Sequence, residues 1–462
     1  MRLFRKECKR LCFQVVYLVF LAALVFSWYR NFAGVTSEEI KAAEGGASQG
    51  AALIDPPLLR RPEQGQDNYG VKIQENPKQM MTGAADRLLM EYQRNSYATY
   101  PFGYYKEVSL NKKDQVHVIQ ILCEITGLTK EELNHLPESF FPAVNGNIIH
   151  FNADMKSTEG EILIKPSGNE VTENPSMDKT KKFISQVTYD RFKEMMKEME
   201  DILGDGSNYA MENLIQYYGQ TNMTYEEALV EYQNTIEKDK ITGGFARLFC
   251  DYLSRPLGLL AVFLGIACWL GDRRYHACEM IYSRPFSDFK LVFSRLMAAV
   301  LVALLPVLFL STESLIPLIR FSVEKGLEID VFAYLKYIVW WLLPTVMISI
   351  SLGSFFSLLT NTPIAILLQA AWWFIDSAVT RLYGDVNLLT LMIRHNSLRG
   401  SEVIGKSTGD ININRFLLVI VSMGLVMVSA LLLSWKRRGK ISEVYPKQKL
   451  QQIFKTKFST GA

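Results

Sequence analysis

The chain has 462 residues, of which 49% are apolar and 21% charged, with a mean hydropathy of +0.07 and a formal net charge of +3. The net charge says little beside the placement of the charges, no nucleic-acid partner is expected, and six scattered cysteines do not make a disulfide framework. The average hides two materials: several unbroken apolar runs and one long polar block.

An apolar run near 20 residues has the length of a helix crossing a bilayer core about 30 Å thick, and in lipid the backbone must satisfy its own hydrogen bonds. Six such runs occur: Leu11–Trp28, Tyr252–Gly271, Lys290–Leu310, Lys336–Leu359, Ile364–Tyr383 and Phe416–Trp435. The first has a basic flank (Arg2, Arg5, Lys6, Lys9, Arg10), as a signal peptide would. Trp28-Tyr-Arg-Asn follows it in place of a small-residue cleavage site, so it reads as a retained anchor.

Residues 30–251 read as one polar region outside the membrane. Gly34–Pro77, rich in Gly, Ala, Gln and Pro, reads as a flexible stalk reaching to about residue 80. Beyond it, helical spacing dominates: Leu88, Leu89 and Tyr92; then Val116, Ile119, Ile121, Leu122 and Ile125 with Gly127 at the end; then Phe183 to Met199 within Lys179–Leu203. Thr224-Tyr-Glu-Glu227 is a capping-box pattern, and Ile162–Ile164 reads as a short strand. Cys123 and Cys250 would both lie outside, either paired or, the preferred reading, as two free thiols. Asp239–Leu253 reads as an interfacial helix with Phe245, Leu248, Phe249 and Tyr252 on its apolar face, or as a plain connector.

Between the second and third runs lies Asp272–Phe289, carrying Arg273, Arg274 and Arg284. Basic residues near span ends favour the cytoplasmic side. The N-terminus is basic, and so is the tail 436–462, beginning Lys436, Arg437, Arg438 and Lys440. Six spans put both termini inside, with 272–289 inside as well and Ser311–Leu335 and Gly384–Arg415 outside. The expected fold is thus an α-helical polytopic membrane protein: residues 1–29 as tail and first span, a mainly helical (α or α+β) extracytoplasmic domain, and a bundle over 252–435.

Inside the spans, Ser349, Gly353 and Ser357 recur every fourth residue, and Ala261 and Gly265 do the same. Small faces let helices pack closely, the preferred reading; they could also line a translocation path. Asp376 is the deepest ionisable residue. It is a functional candidate because charge in lipid is costly, or it lies above mid-membrane and pairs with Arg381 or water, which is the preferred reading. Trp340 and Trp341 suit an interfacial belt. Gly400-Ser-Glu-Val-Ile-Gly-Lys-Ser407 matches the phosphate-loop expression, but no strand precedes it and the surrounding loop is too short for a nucleotide fold. The five histidines are dispersed, and no metal or hydrolase motif occurs.

Glu279-Met-Ile-Tyr-Ser-Arg-Pro285-Phe-Ser287, followed by Lys290-Leu-Val-Phe-Ser-Arg295-Leu, resembles the first cytoplasmic loop of ABC-2-type transporter permeases. The tight turn Thr360–Pro363 and the large insertion between spans one and two also look like that family. The resemblance implies a bacterial plasma-membrane subunit that exports a substrate without a nucleotide site of its own. ATP and Mg would be bound by a separate ABC ATPase subunit, and a second permease chain would complete the unit. Tyr275, Glu279, Met280, Tyr282, Arg284, Pro285 and Ser287 would form the coupling element. Two rivals are a non-transporting subunit that senses or drives the outer domain, and a membrane-anchored enzyme or receptor.

Overall fold

The computed structural model describes residues 2–45, 56–66, 68–101, 105–134, 187–204, 206–274, 280, 286–379 and 386–438. The chain divides into two compact units, residues 46–230 and the remainder. Segments 30–45 and 231–251, assigned from sequence to the polar region, therefore belong with the apolar helices.

That helical unit opens with α1 (Arg2–Cys12), an amphipathic helix burying Glu7 and Leu11. The chain bends at Phe13-Gln14, α2 (Val15–Asn31) follows, and after Gly34 comes α3 (Val35–Ala43). The reading of 34–77 as a stalk is corrected at this end. Thr36 hydrogen-bonds Ser314, and Gly34 N–H donates to Glu313 Oε1 at 3.3 Å, so α3 is built into the bundle.

The unit 46–230 is α+β. β1 (Val71–Ile73) is followed by α4 (Pro77–Arg94), β2 (Tyr97–Thr99), β3 (Lys106–Val108), α5 (Lys112–Thr126), α6 (Lys130–Asn134), α7 (Tyr189–Leu203), α8 (Met211–Tyr218) and β4 (Gln220–Asn222). β1 pairs antiparallel with β4, and β2 with β3. α9 (Tyr225–Gln233) leads out of the unit. The core is Leu88, Leu89, Ile119, Leu122, Ile125, Phe192, Met195, Met196 and Met199, the positions that helical spacing selects; Val116 is exposed instead. Gly127, at φ +69, ends α5 in the left-handed conformation that a residue with a Cβ adopts at a cost. The capping box forms at α9: Thr224 N–H donates to Glu227 Oε2 at 3.0 Å and Glu227 N–H to Thr224 Oγ1 at 3.3 Å. Ile162–Ile164 and the first residues of the 179–203 segment lie outside the described residues.

A π-turn, Asn234–Lys238, connects α9 to α10 (Thr242–Arg274). There follow α11 (Asp288–Lys325), α12 (Ala333–Tyr337), a second π-turn (Ile338–Leu342), α13 (Leu343–Thr360), α14 (Ala365–Val379) and α15 (Ser401–Arg437). Five stretches are long and apolar enough to cross a membrane: 15–43, 242–272, 288–325, 333–360 and 401–437. The chain is a helical multi-pass membrane protein. The fifth of the six apolar runs, Ile364–Tyr383, is represented by α14, beyond which residues 380–385 are outside the described set.

Two stretches expected to be loops are helical. α11 continues through 311–325 until Gly326, at φ +65, caps it by donating its N–H to Ser322 O. α15 starts at Ser401, so its 37 residues extend over about 55 Å, well beyond a 30 Å core. Hydropathy marks where a helix is apolar, not where it ends. The interfacial-helix reading of 239–253 is also corrected. From Phe245 to Asp251 every residue is buried on all sides of α10, because Arg247 and Asp251 have ionic partners inside the bundle. Trp341 is likewise buried rather than interfacial.

Candidate functional site: the charge-clamped foot of the bundle

The 272–289 loop leaves the C-terminus of α10 and returns at the N-terminus of α11. Tyr275, Glu279, Tyr282, Arg284 and Pro285 lie outside the described residues. Met280 is exposed, and Ser287 is the extended residue (φ −64°, ψ 132°) from which α11 starts. What the structure describes is how the two ends of this loop are held.

At the leading end, Asp272 lies between two guanidinium groups. Arg10 NH1 reaches its Oδ1 at 2.5 Å, and Arg295 NH2 its Oδ2 at 2.5 Å. Glu7 completes the set, 2.8 Å from Arg10 and 3.4 Å from Arg295. Both arginines also donate to the Cys268 carbonyl, at 3.0 and 2.8 Å, and Arg295 stacks on Trp269 with its carbon 4.3 Å from the ring centroid. Two acids and two bases thus neutralise one another where α1, α10 and α11 meet. Arg295 is 2% exposed, so none of this charge could be left unpaired cheaply.

At the returning end, Arg437 NH1 is 2.5 Å from Asp288 Oδ1 and 3.0 Å from the Phe286 carbonyl, with its guanidinium over the Phe286 ring. Its neighbour Lys436 donates to the Leu358 carbonyl and, at 2.8 Å, to Asn361 Oδ1. The ends of α10, α11, α13 and α15 are therefore tied together with Glu7 and Arg10 of α1 around one loop. Sequence reading counts Arg10, Lys436 and Arg437 only as flanking charge and misses Glu7, Asp272 and Asp288. The available signal is opposite charges at the ends of successive apolar runs.

The small-residue candidates sit elsewhere, between α10 and α13. A Cβ on Gly265 would lie 2.2 Å from the Ile350 carbonyl oxygen, and one on Gly353 would lie 2.4 Å from that of Val262. The backbones touch, which is the close-packing role. Ser349 donates to the Thr345 carbonyl at 2.8 Å and accepts from Gln369 of α14 at 3.0 Å; Ser357, farther along the same helix as Ser349, is also buried.

Asp376 is not grouped with these. Its carboxylate accepts the N–H groups of Leu391, at 3.1 Å, and Met392, at 2.9 Å. These residues belong to a non-helical stretch, 386–400, whose middle (Thr390–His395) is buried in the bundle. The expectation of an outer loop is corrected here. Arg381, its suggested partner, lies outside the described residues. Backbone without regular structure is tolerated at such burial only when its polar groups are satisfied. Asp251 accepts from Arg394 Nε, His395 N and Asn396 N at 2.8, 2.6 and 2.5 Å. Asn414 and Arg415 donate to the carbonyls of Asn387, Thr390 and Leu391.

The phosphate-loop match is helical from Ser401 onward, with Gly400 as its N-cap. The N–H groups that would cradle a phosphate are mostly spent in helix hydrogen bonds. Cys123 and Cys250 are free thiols, the latter buried in α10.

Compared with known protein families, with curated proteins and with solved structures, the chain matches none.

Proposed function

We propose that this chain is the membrane-spanning permease subunit of an ABC-2-type transporter. It lies in a bacterial plasma membrane with both termini cytoplasmic and the 46–230 unit outside. A partner ATPase supplies the energy through the 272–289 loop, and a second permease chain completes the assembly. The observation that carries the reading is the two-ended ionic clamp on that loop. Asp272 is held by Arg10 and Arg295, and Asp288 by Arg437. A loop that receives mechanical work must not flex at its attachments, and buried or half-buried ion pairs to α1, α11 and α15 provide that stiffness.

The test is co-purification with a candidate ABC ATPase, followed by ATP hydrolysis in the reconstituted complex. Glu279→Ala, or one residue inserted before Pro285, should abolish stimulated hydrolysis and leave folding intact. Normal coupling in both variants would remove the loop from the mechanism. Lys406→Ala should leave hydrolysis unchanged.

One observation favours the second reading, a subunit that moves or senses the outer unit without transporting. The chain leaving that unit is gripped by the bundle. Glu231 pairs with Arg399 at 2.5 Å, Asn234 bonds Glu402 at 3.1 Å, and Asp239 forms a two-pronged pair with Arg247 at 2.6 and 2.5 Å. Lys240 and Ile241 between them carry positive φ angles of 45° and 65°, a conformation a β-branched residue adopts only under constraint. A stiff link of this kind suits the passage of motion in either direction. ATP hydrolysis unaffected by any transported substrate, yet altered by unlocking this link with Asp239→Asn, would select it.

A further inference from the structure

The ionic clamp at the foot of the bundle is closed on itself. The three acids described there, Glu7, Asp272 and Asp288, are matched by Arg10, Arg295 and Arg437. Five further cations at the same end are left over. Arg5, Lys6 and Lys9 of α1, Lys290 at the start of α11 and Arg438 just after α15 are all exposed, and none has an ionic partner among the described residues. At about 100° per residue the three cations of α1 share one face of the helix, while the buried Glu7 and Leu11 lie on the opposite one. The other end of the bundle differs. There Lys238, Lys240 and Lys336 pair with Glu402, Glu328 and Asp330, and Glu324 and Asp410 are exposed as well. Exposed charge of a single sign is thus confined to the foot.

These cations also border apolar surface. Phe13, 80% exposed, follows Lys9 by four residues and is succeeded by the exposed Val15, Leu18 and Val19 of α2. Phe289 is exposed beside Lys290, and Leu431 and Trp435 are exposed on the turns before Arg438. Long cationic side chains at such a margin reach the headgroup layer while the apolar residues meet acyl chains. We propose that the exposed basic face of α1, with Lys290 and Arg438, binds the headgroups of anionic phospholipids at the foot of the bundle. Lipid is favoured over an acidic soluble partner because the cations stop within a turn of exposed apolar side chains on three helices, a margin that a soluble polyanion would leave uncovered. This binding requires only that the helices span a membrane and holds with or without a partner ATPase.

The experiment is thermal unfolding of the full chain in neutral detergent at low salt, titrated with phosphatidylglycerol or with phosphatidylcholine. Each cation near an anionic lipid surface strengthens binding about fivefold, so phosphatidylglycerol should stabilise half-maximally at a concentration lower by about tenfold or more. The triple variant Arg5→Gln, Lys6→Gln, Lys9→Gln alters only exposed side chains and should cut that preference by about fivefold or more. Arg320→Gln, Lys325→Gln, Lys406→Gln, made together at exposed positions of the other end, should leave it unchanged. Equal half-maximal concentrations for the two lipids, an undiminished preference in the α1 variant, or an equal loss in the control variant would overturn the proposal. So would displacement of phosphatidylglycerol by soluble hexaglutamate, which would assign the face to an acidic protein instead.

Discussion

Asp86 lies on α4 in the core of the 46–230 unit, 8% exposed, and forms no hydrogen bond or ion pair among the described residues. Its neighbours on the helix are better served: Glu91 accepts from Arg87 Nε at 3.0 Å and from Tyr209 at 2.6 Å. Burial pushes the Asp86 carboxyl up from 3.8 to about 6. The folded unit then binds a proton more readily than the unfolded chain does. This group's contribution is most favourable below about pH 4, declines as pH rises from about 4 to about 6, and stays unfavourable above that. At about 1.4 kcal/mol for each tenfold change in proton affinity, the rise costs about 3 kcal/mol at most at neutral pH. Asp86→Asn removes the charge in a side chain of the same shape, so it should stabilise the unit at pH 8 by about 1–3 kcal/mol, the lower figure if the amide finds no partner. At pH 4.5 the difference should largely close. Urea unfolding of the full chain can be followed by pulsed labelling of Cys123, the single cysteine between residues 46 and 230, with the pulse at one fixed pH. Equal midpoints for the two proteins at pH 8, or a gap that does not narrow on acidification, would refute the account of Asp86 as an unpaired buried acid.

Three further outcomes are expected. Gly353→Val must push α13 off α10, since even a Cβ would meet the Val262 carbonyl at 2.4 Å; the loss should be about 1–3 kcal/mol, seen as a lower melting temperature in detergent, while Gly424→Ala, with nothing within 4 Å, should cost little. Asp272→Ala leaves Glu7 as the one acid facing two guanidinium groups, one of them buried, and should cost about 3–5 kcal/mol; adding Arg295→Met should recover part of it, and simple additivity of the two would show that the pair is not coupled. Lys240→Gly relieves a left-handed residue whose side chain, among the described residues, makes only an exposed ion pair with Glu328, and should raise stability by about 1 kcal/mol; a lower melting temperature would show that the φ of 45° is not strained.

The apolar runs by themselves determined that the chain is a helical multi-pass membrane protein, because twenty apolar residues leave the backbone no other way to satisfy itself in lipid. Short-range chemistry was equally legible: the Thr224–Glu227 box, the Gly127 cap, and the Leu and Met faces of α4, α5 and α7 follow from spacings of three and four residues. The ends of the long helices were not, because the start of α15 carries Lys406, Asp410 and Asn414 with Gly405 and Gly409, which read as loop, while no proline interrupts the helix there. Only the tertiary structure decided where the charges go. Spacing along the chain assigns no partner to Arg247, Asp251, Asp272, Arg295 or Arg415, and each is buried against one, up to 288 positions away. Charge pairing depends on which helices pack together, and a single sequence carries no record of that. The 272–289 loop therefore stood out in the sequence for its composition, while the clamp that makes it a candidate site exists only because α1, α11 and α15 converge on its two ends.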